Sequence, residues 1–130
     1  MQLTRRQEAL IRSLSTRHGR KGSEFCICDG FRSSREILNL RPDLVELLIL
    51  REDVVLRDSL PVEPLILPAA EFDRISNTVI HSQGIMVVAR RPEKTPREVP
   101  IADPFVLLLD RVGDPGNFGT IIRTARAAGL

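Results

Sequence analysis

The sequence has no apolar run approaching the roughly 18 residues that cross a bilayer, and its polar opening, MQLTRRQEA, lacks the apolar stretch of a secretory signal. A membrane-spanning chain is not expected, and the expected location is the cytoplasm. Cysteine is scarce: Cys26 and Cys28, one residue apart, are the only two. A metal centre needs about four ligands, and no second Cys/His cluster supplies the rest, so no metal is expected. In an extended strand both thiols point to one face, and the expectation is a buried, reduced pair. An excess of one sign of charge is missing too, since 19 Lys and Arg stand against 17 Asp and Glu. The net +2 therefore names no partner. Nor is either common phosphate cradle present. Gly113, Gly116 and Gly119 are evenly spaced, unlike G-x-G-x-x-G, and Phe118-Gly119-Thr120 stands where a P-loop ends in Gly-Lys-Ser/Thr. A nucleotide-using α/β enzyme is set aside on that ground.

What the chain does have is the composition of one ordinary folded domain: 130 residues, 42% hydrophobic and 28% charged. Its charges are unevenly placed. The first 21 residues carry Arg5, Arg6, Arg12, Arg17, Arg20 and Lys21, with His18, against the single acid Glu8. Such a cluster is the electrostatic footprint of a phosphate backbone, although a solvated helix face gives the same count. Leu3, Gln7, Leu10, Ile11 and Leu14 recur at helical spacing and Thr4 with Gln7 forms a capping-box pattern, which predicts an amphipathic helix over residues 4–16. On its wheel Arg5 and Arg12 fall opposite the apolar stripe, free to meet a partner. RHGRKGSE then reads as a cationic loop.

Strand and helix patterns alternate beyond it. EFCICD reads as a strand, SSREILNL as a helix with Ser33 and Glu36 as capping box, and VELLILR as a strand. Residues 52–60 read as a weak helix or loop, EPLILP as a short strand, AAEFDRIS as a short helix and GIMVVARR as a buried strand. This alternation predicts the α/β class, a sheet covered by helices on its faces, closing near Arg91. Four prolines and many charges over residues 91–104 predict a linker. FVLLLD then reads as a strand buried on both faces, followed by a loop and a helix from about Asn117 to Ala128. The expected organisation is a three-layer α/β domain over 1–91, a linker over 92–104 and a single β-loop-α unit over 105–130.

In the terminal loop Pro115 sets φ, Gly116 permits a positive φ, and Asn117 is the expected N-cap. On the following helix Phe118, Ile121, Ile122, Ala125 and Ala128 gather within roughly 120°, a face expected to pack on a sheet. Arg123 lies nearly opposite. Asn117, Thr120 and Thr124 occupy neighbouring polar directions, near the C-terminal end of a strand, where ligands bind in open α/β sheets. A capped helix with a solvated arginine remains the alternative at this point.

DPGNFGTIIRTARAAG closely resembles the first signature motif of the SpoU branch of the SPOUT RNA ribose methyltransferases: Asp-Pro-x-Asn-x-Gly, three variable residues, then Arg-Thr-Ala. Asp114, Pro115, Asn117, Gly119, Arg123, Thr124 and Ala125 all match. EFCICDGFRSSREIL and FDRISNTVIHSQGIMVVARRPE resemble that family's N-terminal domain, with Asp29 where Glu is usual and His81-Ser82 where Thr-Pro precedes Gln-Gly. The resemblance covers nearly the whole chain. It implies a 2'-O-methyltransferase that moves a methyl group from S-adenosylmethionine to a ribose hydroxyl of ribosomal or transfer RNA, working as a homodimer. It further implies an N-terminal RNA-binding domain similar to a small ribosomal protein, a knotted catalytic domain, and Asn117 and Arg123 as active-site residues. The family's two later motifs, which form the knot and most of the donor pocket, are missing from this sequence. The chain is therefore expected to be the N-terminal part of such an enzyme, without a complete S-adenosylmethionine site, inactive alone and competent at most for RNA binding. A stand-alone RNA-binding adaptor is the alternative. For RNA contact Arg17, Arg20 and Lys21 are the first candidates, followed by Arg5, Arg12, Arg32 and Arg35. Ribose and phosphate contacts read shape, so the target nucleotide is not legible.

Overall fold

The computed structural model describes residues 3–56, 59–76, 83–92 and 107–130. Met1–Glu93 and Lys94–Leu130 are separate compact units. Most of the expected linker, and His81 and Ser82, lie outside the described residues.

The first unit opens with α1 (Arg5–Leu14) and α2 (Arg17–Lys21). Then come β1 (Phe25–Asp29), α3 (Phe31–Leu40), a 3-10 turn (Pro42–Leu44) and β2 (Val45–Arg51), followed by β3 (Leu65–Leu67), α4 (Ala69–Ile75) and β4 (Ile85–Arg90). The strands form one mixed sheet in the order β1-β4-β2-β3, with β4 antiparallel to both neighbours and β2 parallel to β3. Because successive side chains on a strand face opposite ways, the sheet has two apolar faces. Ile49, Met86 and Val88 pack with Ile11, Leu14, Phe72 and Ile75, so α1 and α4 cover one side. Leu48, Leu50, Ile85, Val87 and Ala89 pack with Leu38 of α3 on the other. Strand β4, inside the sheet with both faces covered, is buried from Ile85 to Ala89, which explains its uninterrupted apolar sequence. The mixed α/β architecture with helices on both faces agrees with the sequence reading.

Several local expectations are corrected. The stretch expected as a cationic loop is the helix α2: Thr16 caps it by accepting from the Gly19 N–H at 3.0 Å. Gly19 lets it lie against α1, since a Cβ there would fall 2.0 Å from the Ser13 carbonyl oxygen. The Ser33/Glu36 capping box is absent. Helix α3 starts two residues earlier, after Gly30 at φ 86°, and its Phe31 N–H donates to Gln83 Oε1 at 2.6 Å, while Ser33 Oγ donates to the Asp29 carbonyl at 2.7 Å. Helix α4 likewise has no side-chain cap of its own, and Glu52 Oε1 accepts from its Ala69 N–H at 3.0 Å. Residues 52–60, read as a weak helix or a loop, follow the loop alternative at their described residues.

The second unit, by itself, shows α5 (Pro115–Ala127). Residues 107–110, expected to end a buried strand, are not in one. A strand exists only through the ladder it shares with a neighbour, and no described residue offers them one. The apolar side of α5, expected against a sheet, is open: Phe118 and Ile122 are 45% and 44% exposed, and no residue of the helix is buried.

Candidate nucleic-acid interface and terminal loop

The candidate cations of the first unit stand on helices that cover opposite faces of the sheet. Arg5 and Arg12 stand on α1 and Arg17, Arg20 and Lys21 on α2, on one side of the sheet; Arg32 and Arg35 stand on α3, on the other. Helix α1 holds its side of this arrangement through the expected capping box, with Thr4 Oγ1 accepting from the Gln7 N–H at 3.3 Å and Gln7 Oε1 accepting from the Thr4 N–H at 2.9 Å. Not every predicted cation is equally available. Arg20 Nη1 donates to the Leu14 and Ser15 carbonyls at 3.2 and 2.9 Å, so this guanidinium closes the C-terminal end of α1, where a positive charge suits the helix dipole. Arg12 Nη2 meets Glu8 Oε1 at 3.2 Å, and the same oxygen meets Arg74 Nη1 at 3.2 Å. Exposed pairs of this kind contribute about 0–1 kcal/mol, too little to withhold Arg12 from a phosphate. The heads of Arg5, Arg17, Lys21 and Arg32 have no ion-pair partner among the described residues. Beside α1 lies a groove of ≈ 430 Å³ lined by Arg6, Gln7, Phe25 and Glu46 among others. Arg74, brought next to α1 by α4, escaped the sequence reading because only the fold makes it a neighbour of Glu8.

Cys26 and Cys28 do share a face of β1, the side covered by α3, and both are free. They are half-buried rather than buried. The thiol hydrogen bond from Cys28 holds Cys26 below the ordinary thiol value, at about 6, against the opposing effect of burial and with help from Arg91. The same bond, with burial, pushes Cys28 up. No group of three metal-ligating side chains occurs among the described residues.

In the terminal loop the cap is Asp114, not Asn117. Its Oδ2 accepts from the Asn117 N–H at 2.7 Å, and the Phe118 N–H donates to the Asp114 carbonyl at 3.0 Å. The helix begins at Pro115, whose fixed φ and missing N–H suit a first turn, so Asn117 sits inside that turn with its side chain released from capping. Asp114 could have been recognised from Asp-Pro, since a carboxylate before proline is a ready N-cap. Arg123 turns back along the helix: Nη2 donates to Thr120 Oγ1 at 3.3 Å, and Thr120 Oγ1 donates to the Gly116 carbonyl at 2.9 Å. Taken by itself, the second unit has no buried residue in α5, and its described residues do not enclose a methyl-donor site. No described helix is long and apolar enough to cross a membrane.

No family model matches the chain. Over 124 residues it is 31% identical to the 23S rRNA (guanosine(2553)-2'-O)-methyltransferase RlmP of Bacillus subtilis (strain 168), an alignment covering 92% of this chain and 46% of that protein. Its fold matches a structure from Porphyromonas gingivalis described as an RNA methyltransferase of the TrmH family, with a TM-score of 0.67 and 29% identity, covering 100% of this chain and 51% of that one. The chain spans about half the length of these relatives. Sequence and fold together make it a homologue of RNA methyltransferases of the SpoU/TrmH family.

Proposed function

We propose that this chain supplies the RNA-capturing domain and the first active-site loop of a 2'-O-ribose methyltransferase that modifies ribosomal or transfer RNA with S-adenosylmethionine as methyl donor. In this reading the first unit is the domain similar to a small ribosomal protein, and α5 opens the knotted catalytic domain of a cytoplasmic homodimer. The chain by itself binds RNA and does not methylate, since its described residues lack a donor site. An amphipathic helix with no buried side chain is marginal alone, and the open Phe118/Ile122 side of α5 supports further structure packing there in the complete enzyme.

The observation that carries the reading is the polar side of α5, where Arg123 lies back over Thr120 toward the first turn that holds Asn117. A ribose hydroxyl attacks only once it is held in line and its developing negative charge is met. A guanidinium keeps its proton below about pH 12 and is a poor general base. Arg123 instead grips the phosphate beside the target ribose and stabilises the forming alkoxide, Asp114 fixes the loop, and Asn117, freed from capping, faces the substrate. The Bacillus subtilis relative, named for 2'-O transfer to 23S rRNA, supports this choice of substrate. In the complete enzyme Arg123→Lys is expected to cut turnover roughly 10²- to 10³-fold, because the two-pronged donor geometry is lost. Near-normal turnover of that variant would overturn the assignment.

A further inference from the structure

Glycine is the poorest helix former after proline, yet Gly119 stands in the second turn of α5, inside a helix that has little packing to support it. Backbone geometry does not require it there, since the positive-φ glycines are Gly30, Gly84 and Gly129. What its missing side chain leaves open is a place for Arg123. A Cβ at 119 would lie 3.1 Å from Arg123 Nη1, 3.8 Å from Cζ and 3.9 Å from Nη2, and these are its three nearest atoms. The guanidinium thus lies beside the backbone of Gly119, one turn before its own Cα, with Nη1 nearest. Thr120, whose hydroxyl is itself tied to the Gly116 carbonyl, holds its edge by accepting from Nη2.

We propose that Gly119 is a positioning residue: the absence of a side chain there, together with the Thr120 hydroxyl, seats the Arg123 guanidinium over the N-terminal half of α5, with its remaining donors presented in one direction to an RNA phosphate. The inference rests on the reading of Arg123 given above and adds what aims it. A side chain at 119 displaces the guanidinium rather than the helix, because the atoms it meets are the far end of a flexible chain. The consequence has an unusual sign. Gly119→Ala should make α5 a better helix while making Arg123 a worse ligand, whereas a glycine kept for folding would lose both.

The test is made in two arms. In the 130-residue chain, the Nε–Hε heteronuclear NOE of Arg123 is compared with that of Arg126, exposed on the same helix. The expected result is a more ordered Arg123, falling to the Arg126 level in Gly119→Leu and partway in Gly119→Ala and Thr120→Val, with helicity by circular dichroism retained or raised in the glycine variants. An Arg123 as mobile as Arg126 in the parent chain, or one unmoved by these substitutions, overturns the seat. In the complete methyltransferase Gly119→Leu is expected to lower kcat roughly tenfold to a hundredfold with KM for RNA changed far less. Seating lost in the NMR arm with kcat intact would instead overturn the active-site role of Arg123, so failure of the seat and failure of the function are told apart.

Discussion

A single side chain in this protein acts through what its neighbours leave it to do. Asn117 has the residue type of a cap, but Asp114 occupies that role and donates the loop its fixed end, which sets Asn117 free for another task. The motif spacing singled out Arg123 as a candidate site residue in the sequence; the space over Gly119 was not legible there, because it exists only once the helix is built. The same contrast holds at Cys26 and Cys28. Strand alternation placed both on one face, yet β1 is an edge strand of the sheet, so α3 covers them only in part. Their hydrogen bond makes the two thiols chemically unequal. With its folded value lowered to about 6, Cys26 is a thiolate above that pH and a thiol below it, while Cys28, raised, stays protonated through neutrality. Iodoacetamide at pH 7 should therefore alkylate Cys26 ahead of Cys28 by mass-mapped peptides, and the rate should rise through about pH 6 and level off. In Cys28→Ala the midpoint should move up toward the ordinary thiol range, since the donated hydrogen bond is the largest cause of the shift. Equal labelling of the two cysteines at pH 7 would show that the two thiols do not differ.

Whole elements were legible where their signals are local. Strands β2 and β4 follow their apolar runs, and α1 begins at the capping box that the four residues Thr4–Gln7 contain. Where a start signal comes from far along the chain, local reading found the helix but not its cap. Helix α3 receives its cap from Gln83, 52 positions away, and α4 from Glu52, 17 positions away; neither distance is visible to a pattern of a few residues. Helix α2 was hidden for a related reason, as the two glycines and the cations of RHGRKGSE argue for a loop, and it forms by resting on α1 through Gly19. The remote cap makes a prediction at this scale. Gln83→Ala leaves the Phe31 N–H without its acceptor and should cost about 1 kcal/mol, read as faster amide exchange confined to the first turn of α3. Unchanged exchange at Phe31 would mean that water serves that amide equally well.

At the scale of the molecule, the balance of charge was legible and its geometry was not. A net +2 conceals a segment of residues 1–21 with six Lys and Arg against one acid, and folding divides the chain's candidate cations between opposite faces of one sheet. RNA laid along α1 and α2 would meet Arg5, Arg17 and Lys21, with Arg12 and Arg74 sharing Glu8 at its margin; Arg32 and Arg35 would point away from it. Each phosphate contact contributes about one to the slope of log K against log salt. Arg17→Ala with Lys21→Ala should therefore lower the slope measured for an RNA hairpin by about two, while Arg32→Ala with Arg35→Ala should leave it where it was. Arg20→Ala should behave differently from either, because its guanidinium is bound to the carbonyls ending α1: stability falls and the slope shifts by less than a free cation's share. Equal losses from both pairs would mean that RNA wraps the domain rather than lying on one face. No loss from either would reduce the basic cluster to a solvated helix surface, the other meaning of the same count, and would leave α5 as the chain's point of contact with its substrate.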